Sequence, residues 1–214
     1  MKKCYDLRTS LTPFIPEKAL DEVVIFLQKY PIHLGLMAPR SRVFGDYRAP
    51  QKIGEFHKIT VNGDLNTYAF LITFLHEYAH LLVFVNDGPR AQAHGNEWKT
   101  YFRRLLQQFI HLEIFPDDIC LALQNYMKKV PASTASDPQL MRVLERYNVR
   151  KRSENEMTVE QLPPKARFKY NDDLFEKGER LRKNFTCVRL SDGAKFRFNP
   201  VAKVTYHTAE LPFL

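Results

Sequence analysis

Cysteine is scarce in this chain. Cys4, Cys120 and Cys187 are the three in 214 residues, far apart and with no C-x-x-C pair. That spacing argues against a disulfide framework and against a cysteine zinc ribbon, and it fits a reducing compartment. The start, Met1-Lys2-Lys3-Cys4-Tyr5-Asp6, is basic, but no apolar h-region or small-residue cleavage site follows it. The longest apolar stretch, Leu65 to Val85, carries His76, Glu77 and His80 in its middle, so no transmembrane span and no membrane partner are expected. Internal repeats and low-complexity tracts are also missing. These absences make a cytoplasmic protein the expectation.

What is present suffices for a core. At 44% hydrophobic and 13% aromatic residues the chain is not globally disordered, and its length holds one medium domain with a small appendage. The net charge of +8 is uneven: residues 1–139 carry 16 basic and 14 acidic side chains, residues 140–214 carry 16 and 10. A basic excess in one part of a chain suits an acidic partner such as nucleic acid.

The chemistry is concentrated in Phe74-Leu75-His76-Glu77-Tyr78-Ala79-His80, which reads H-E-x-x-H. On a helix, histidines four residues apart face the same way, one turn from each other. That geometry gives a zinc ion two nitrogens at about 2.0–2.1 Å. Glu77, beside His76, is free to act as a base toward water rather than as a ligand. Tyrosines aside, the non-apolar residues from Tyr68 to Val85 are Thr73, His76, Glu77 and His80, a single stripe on a helix otherwise apolar and therefore buried. Two imidazoles and a carboxylate buried together need partners, and one cation satisfies all three.

A catalytic zinc site takes a third protein ligand and keeps one position open. Asp87, His94 and Glu97 follow the helix. Asp87 sits in an Asn-Asp-Gly-Pro turn that favours aspartate anyway, and Glu97 lies in a first helical turn, where a carboxylate suits the macrodipole. His94 has no such local reason, because capping preferences at a helix start favour Ser, Thr, Asp or Asn. His94 ranks first and Glu97 second. His33, His57, His111 and His207 are isolated and read as surface or hydrogen-bonded histidines.

Along the chain, Pro16-Glu17 opens a helical pattern that Pro31 closes. Strand-like runs follow at 32–37, 42–47 and 55–61, and Asn62 or Asp64 is placed to cap the buried helix. A second amphipathic helix runs from the His94 region to about His111, with Trp98, Phe102, Leu105, Leu106 and Phe109 as its apolar face. A third spans Asp117 to Val130, and a short one starts at Asp137-Pro138. The expected organisation is a catalytic domain over 1–148, a linker over 149–164 and a small basic β-rich module over 165–214. In that module Arg180, Arg182, Lys183, Arg189, Lys195 and Arg197 interleave with Phe175, Phe185, Phe196 and Phe198. Such a mixture suits phosphate contacts with base stacking, and equally a half-exposed antiparallel sheet.

The H-E-x-x-H helix, joined by a loop to His94-Gly95-Asn96-Glu97-Trp98-Lys99, resembles the SprT-like zinc metallopeptidase family, which includes proteases of DNA–protein crosslinks. The resemblance covers roughly residues 15 to 130. It implies an α+β fold with a zincin-like helical core and a short antiparallel sheet, Zn²⁺ held by His76, His80 and His94, and Glu77 as catalytic base. The cysteine ribbon many members carry is missing, with Cys187 alone in that region. The expected function is a zinc metalloendopeptidase acting on protein substrates, with single- or double-stranded DNA a candidate partner through the basic module. The alternative is a nucleic-acid-binding factor whose zinc site is structural.

Overall fold

Asp6 caps the first helix, α1 (Leu7–Leu11), by accepting a hydrogen bond from the Arg8 amide. The computed structural model describes residues 6–40, 43–131, 136–149 and 155–206, and the chain divides into two compact units between Asn148 and Val149. Pro16-Glu17 does not open an α-helix directly; one 3-10 turn, Glu17–Ala19, precedes α2 (Leu20–Lys29). Three strands then form a sheet in the order β1-β3-β2: β1 (Ile32–Met37), β2 (Gly45–Arg48) and β3 (His57–Asn62).

This sheet is mixed, not the antiparallel one expected from the sequence. β1 runs parallel to β3, with Ile32 opposite His57 and Met37 opposite Asn62, and only β2 is antiparallel to β3. The connection explains it. A parallel return needs a crossover of a dozen or more residues, and here that crossover, 38–56, itself contributes β2 to the other edge of β3.

The long apolar run is α3 (Thr67–Asp87). Its cap is Asn66 rather than Asn62 or Asp64: the Ala69 amide donates to Asn66 Oδ1 at 2.9 Å, and Asn66 Nδ2 donates to the Leu144 carbonyl at 2.8 Å. Asn62 has another task at the end of β3. It accepts from Arg40 Nε at 2.7 Å and donates to the carbonyls of Arg40 and Val43, which ties the segment before β2 to the sheet. By length and composition α3 could cross a membrane, yet 72% of its apolar window is buried inside the fold. Phe70, Leu71, Ile72, Phe74, Leu75, Ala79 and Leu81 have no exposed surface. β2, β3 and a second helix, α4 (Asn96–His111), pack against it. The expected apolar face of α4 is the buried one: Trp98, Phe102, Leu105, Leu106 and Phe109. Helices α5 (Asp117–Lys128) and α6 (Pro138–Glu145) complete this unit, α6 with the foreseen Asp137 cap and proline at its start.

The second unit is a six-stranded antiparallel sheet in the order β4-β9-β5-β6-β7-β8. Its strands are β4 (Glu156–Thr158), β5 (Arg167–Tyr170), β6 (Asp173–Arg180), β7 (Phe185–Arg189), β8 (Lys195–Phe198) and β9 (Lys203–Tyr206). The segment read as a linker, 149–164, is therefore folded in its second half. β4 pairs with β9, Thr158 and Gln161 form a capping box, and Val159 and Leu162 enter the core. Arg150-Lys151-Arg152 and Glu154 lie outside the described residues. Strand β6 had no sequence reading, because a lysine occupies one of its inward positions. Lys177 is 6% exposed; its Nζ donates to the Leu162 carbonyl at 2.6 Å and lies 4.5 Å from the Phe185 ring centroid.

Candidate metal centre

The i, i+4 spacing on α3 sets His76 and His80 side by side, ring centroids 5.3 Å apart. The third imidazole arrives from the loop before α4. His94 adopts a left-handed backbone conformation, φ 58°, which costs a non-glycine residue energy but is visited by His more readily than by most. Gly95 follows because there is no room for a side chain: a Cβ there would meet the Gln92 carbonyl oxygen at 2.9 Å. The result brings His94 Nε2 to 3.2 Å from His76 Nε2 and 3.1 Å from His80 Nε2. Trp98, fully buried one turn into α4, is the common base of the cluster. Its ring centroid lies 4.6, 5.4 and 4.7 Å from those of His76, His80 and His94, and its Nε1 donates to the His76 carbonyl at 3.3 Å.

Three imidazole nitrogens this close cannot satisfy one another. A neutral ring offers one N–H and one lone pair, so a single pair can share a proton while the third nitrogen meets like with like. A shared cationic proton is disfavoured too. Burial, and then the neighbouring histidines, push His76 down to about 3; burial and His94 push His80 down to about 4; burial and Lys99 lower His94. A metal cation resolves the conflict by accepting all three lone pairs. Nitrogens at about 2.0–2.1 Å from a tetrahedral zinc stand about 3.3–3.4 Å apart, close to the separations found. These three histidines can hold a metal ion.

Glu77, the residue after His76, is buried, 6% exposed, with its carboxylate against Gly45 of β2. Burial first, then Asp46, raises its carboxyl to about 8, with Arg40 pulling the other way. What lies against it is not visible in the motif itself. Strand β2 passes directly over the motif: Gly45 abuts Glu77 and Thr73, and two residues on, the Tyr47 ring lies 6.3 Å from that of His80 at an interplanar angle of 5°. Tyr47 is anchored at its other end by a 2.9 Å hydrogen bond between its hydroxyl and His57 Nδ1. The only trace of this in the sequence was one small and one large residue at alternate positions of a short strand.

The other candidates stay apart. Asp87 and Glu97 are exposed and outside the cluster, as is Asp64. Nearby, Arg40 donates to Asn62, Thr60 and the Phe44 carbonyl and Arg48 pairs with Asp46, while His207 lies outside the described residues. In the second unit Arg180, Arg182, Lys183, Lys195 and Arg197 are exposed, whereas Arg189 is paired with both Asp173 and Asp192. Phe175, Phe185 and Phe198 are core residues, and Phe196 alone of the four is exposed.

From the first residue of β1 into α5, this geometry sits within one recognisable family segment. Residues 32–120 match the SprT-like family. The SprT-like segment contains the H-E-x-x-H helix, the His94-Gly95 loop, Trp98 and the whole mixed sheet. No curated protein and no solved structure matches the chain.

Proposed function

We propose that the first unit is a zinc-dependent metallopeptidase hydrolysing peptide bonds of protein substrates. The observation that carries this is the convergence of three Nε2 atoms, 3.1–3.2 Å apart where they meet at His94, on a helix that also buries Glu77, the residue after His76. His76, His80 and His94 would hold the ion through those atoms. When bound, zinc supplies Lewis acidity toward water and a peptide carbonyl. Glu77 takes a proton from the attacking water and returns it to the leaving amine. Its raised affinity for protons brings the base near the operating pH, and a cation nearby draws that affinity back down. β2 is an edge strand, so an extended peptide added along it runs past Glu77 and His80.

We further propose that the exposed cations of the second unit bring the chain to DNA through phosphate contacts. Base stacking has less support there than the sequence suggested, since three of the four phenylalanines are internal. Free Cys120 and Cys187 suit a reducing cytoplasm.

The deciding experiment incubates the zinc-loaded chain with a fluorescein-labelled histone, with and without single-stranded DNA. Cleavage is expected, lost by at least about 10²-fold in Glu77→Gln, with zinc content retained. A zinc-loaded wild type that binds DNA but cleaves neither the histone nor itself would favour a structural zinc site in a nucleic-acid-binding factor.

A further inference from the structure

Gly45 is not a conformational glycine. Its backbone is that of an ordinary strand residue, in register opposite Val61. What sets it apart is the space its side chain would need. A Cβ built there would lie 2.6 Å from Glu77 Oε1, 2.9 Å from Glu77 Cγ and 2.8 Å from Thr73 Cγ2. Two of these three contacts are with the residue we assign as the base. Gly35, on β1 of the same sheet, makes a contrast: a Cβ there would meet Thr60 Cγ2 at an ordinary 3.5 Å.

We propose that Gly45 is a positioning residue for Glu77, its missing side chain being the space in which the carboxylate sits. The kinetic part of this inference rests on the peptidase reading; the geometric part does not. An atom placed over Glu77 Oε1 is accommodated by the softest neighbour. Of the three atoms Glu77 Oε1, at the far end of a flexible side chain, gives most; Thr73, β-branched and bonded through its hydroxyl to the Ala69 carbonyl, and the strand backbone, held by its ladder to β3, give less. Relief to an ordinary contact moves the carboxylate by about 0.8 Å, and misplacement on the order of 1 Å costs a reacting group about 10²-fold. The histidines are held from elsewhere, by α3 and by Trp98, and so stay in place. Tyr47, two residues along the same strand face, fills the space over His80 that Gly45 leaves open over Glu77.

The test is Gly45→Ala in the full chain, read by crystallography and kinetics. The expected structure shows the Glu77 carboxylate displaced with His76, His80 and His94 superposing on their wild-type positions, and the zinc content unchanged. Cleavage of the labelled histone loses roughly ten- to hundredfold in kcat, with KM unchanged, as for a group that acts in the transition state only. Adding Gly45→Ala to Glu77→Gln costs no further activity, because a residue that works through the carboxylate has nothing left to misplace. Gly35→Ala keeps kcat within about twofold, since no clash is introduced there. An unmoved Glu77 in the Gly45→Ala structure overturns the proposal. So does loss of folding or of zinc in that variant, which would make Gly45 a general packing position. A wild type without peptidase activity would sink the catalytic reading alone, and the crystallographic comparison would still decide the role of Gly45.

Discussion

Trp98→Ala is the perturbation that best separates the base of the site from its donors. The indole has no exposed surface and packs on three imidazoles and on Phe102, whose ring centroid is 5.1 Å away. A buried aromatic side chain removes about 150–250 Å² from water. At about 25 cal/mol per Å² the transfer alone is about 4–6 kcal/mol; alanine keeps a little of it, and the cavity relaxes only partly. Measured losses for such truncations run about 3–5 kcal/mol, and a value in that range is expected in the zinc-free chain. The assay is urea unfolding followed by circular dichroism at 222 nm. Among the described residues all six α-helices lie in the first unit and the second is built on strands, so that signal reports the unit holding Trp98. Zinc affinity should fall as well, by about 10–100-fold, the range for losing a group that orients metal ligands. A loss of less than about 1 kcal/mol, typical of surface changes, would refute the reasoning.

Elemental analysis of the purified chain should find about one zinc per molecule. His76→Ala, His80→Ala and His94→Asn should each cut that occupancy while Glu97→Ala leaves it intact; the opposite pattern at 94 and 97 would displace His94 as third donor. In the zinc-free chain, stability should fall as pH drops from 6 to 5. Unfolded histidines titrate near 6.5, whereas the native chain holds His76 at about 3 and His80 at about 4, so unfolding takes up two protons; Glu77, held near 8, offsets one of them. The net of about one proton corresponds to about 1.4 kcal/mol per pH unit, and the lowered His57 and His94 act in the same direction. Urea midpoints that rise on acidification would contradict this. For DNA, log K against log[salt] should slope at about −2 to −4, from roughly three to five phosphate contacts. Lys195→Glu with Arg197→Glu should flatten it by about two contacts, and a salt-insensitive affinity would remove the electrostatic argument.

The helical half of the fold was legible because its signals are local. Periodicity marked the apolar face of α4, Asp137-Pro138 marked the start of α6, and a four-residue spacing placed His76 beside His80. The misreadings share a cause. Strand direction depends on what a connection does in space, so the sequence could not show that the crossover between β1 and β3 would itself supply β2. Asn62 and Asn66 are the same residue type four positions apart, and only the packed structure assigns one to Arg40 and the other to the Ala69 amide. Lys177 hid β6 because burial of a lysine rests on carbonyl partners brought in from Glu160 and Leu162. At the site, the three histidines that come together were readable from the motif and the loop after it. The strand that covers them was not, since Gly45 acts by the side chain it lacks.

His94 stands on left-handed backbone, and that has a genetic consequence. Asparagine adopts this conformation at least as readily as histidine, and the two residues are one nucleotide apart. At His76 or His80 a substitution opens a gap within the largely buried helix α3. At position 94 a single base change can exchange the imidazole for a side chain that suits the backbone and leaves both flanking helices as they are. The third histidine of the cluster is thus the one that drift can remove most quietly, leaving a descendant with the same shape and two histidines in place of three.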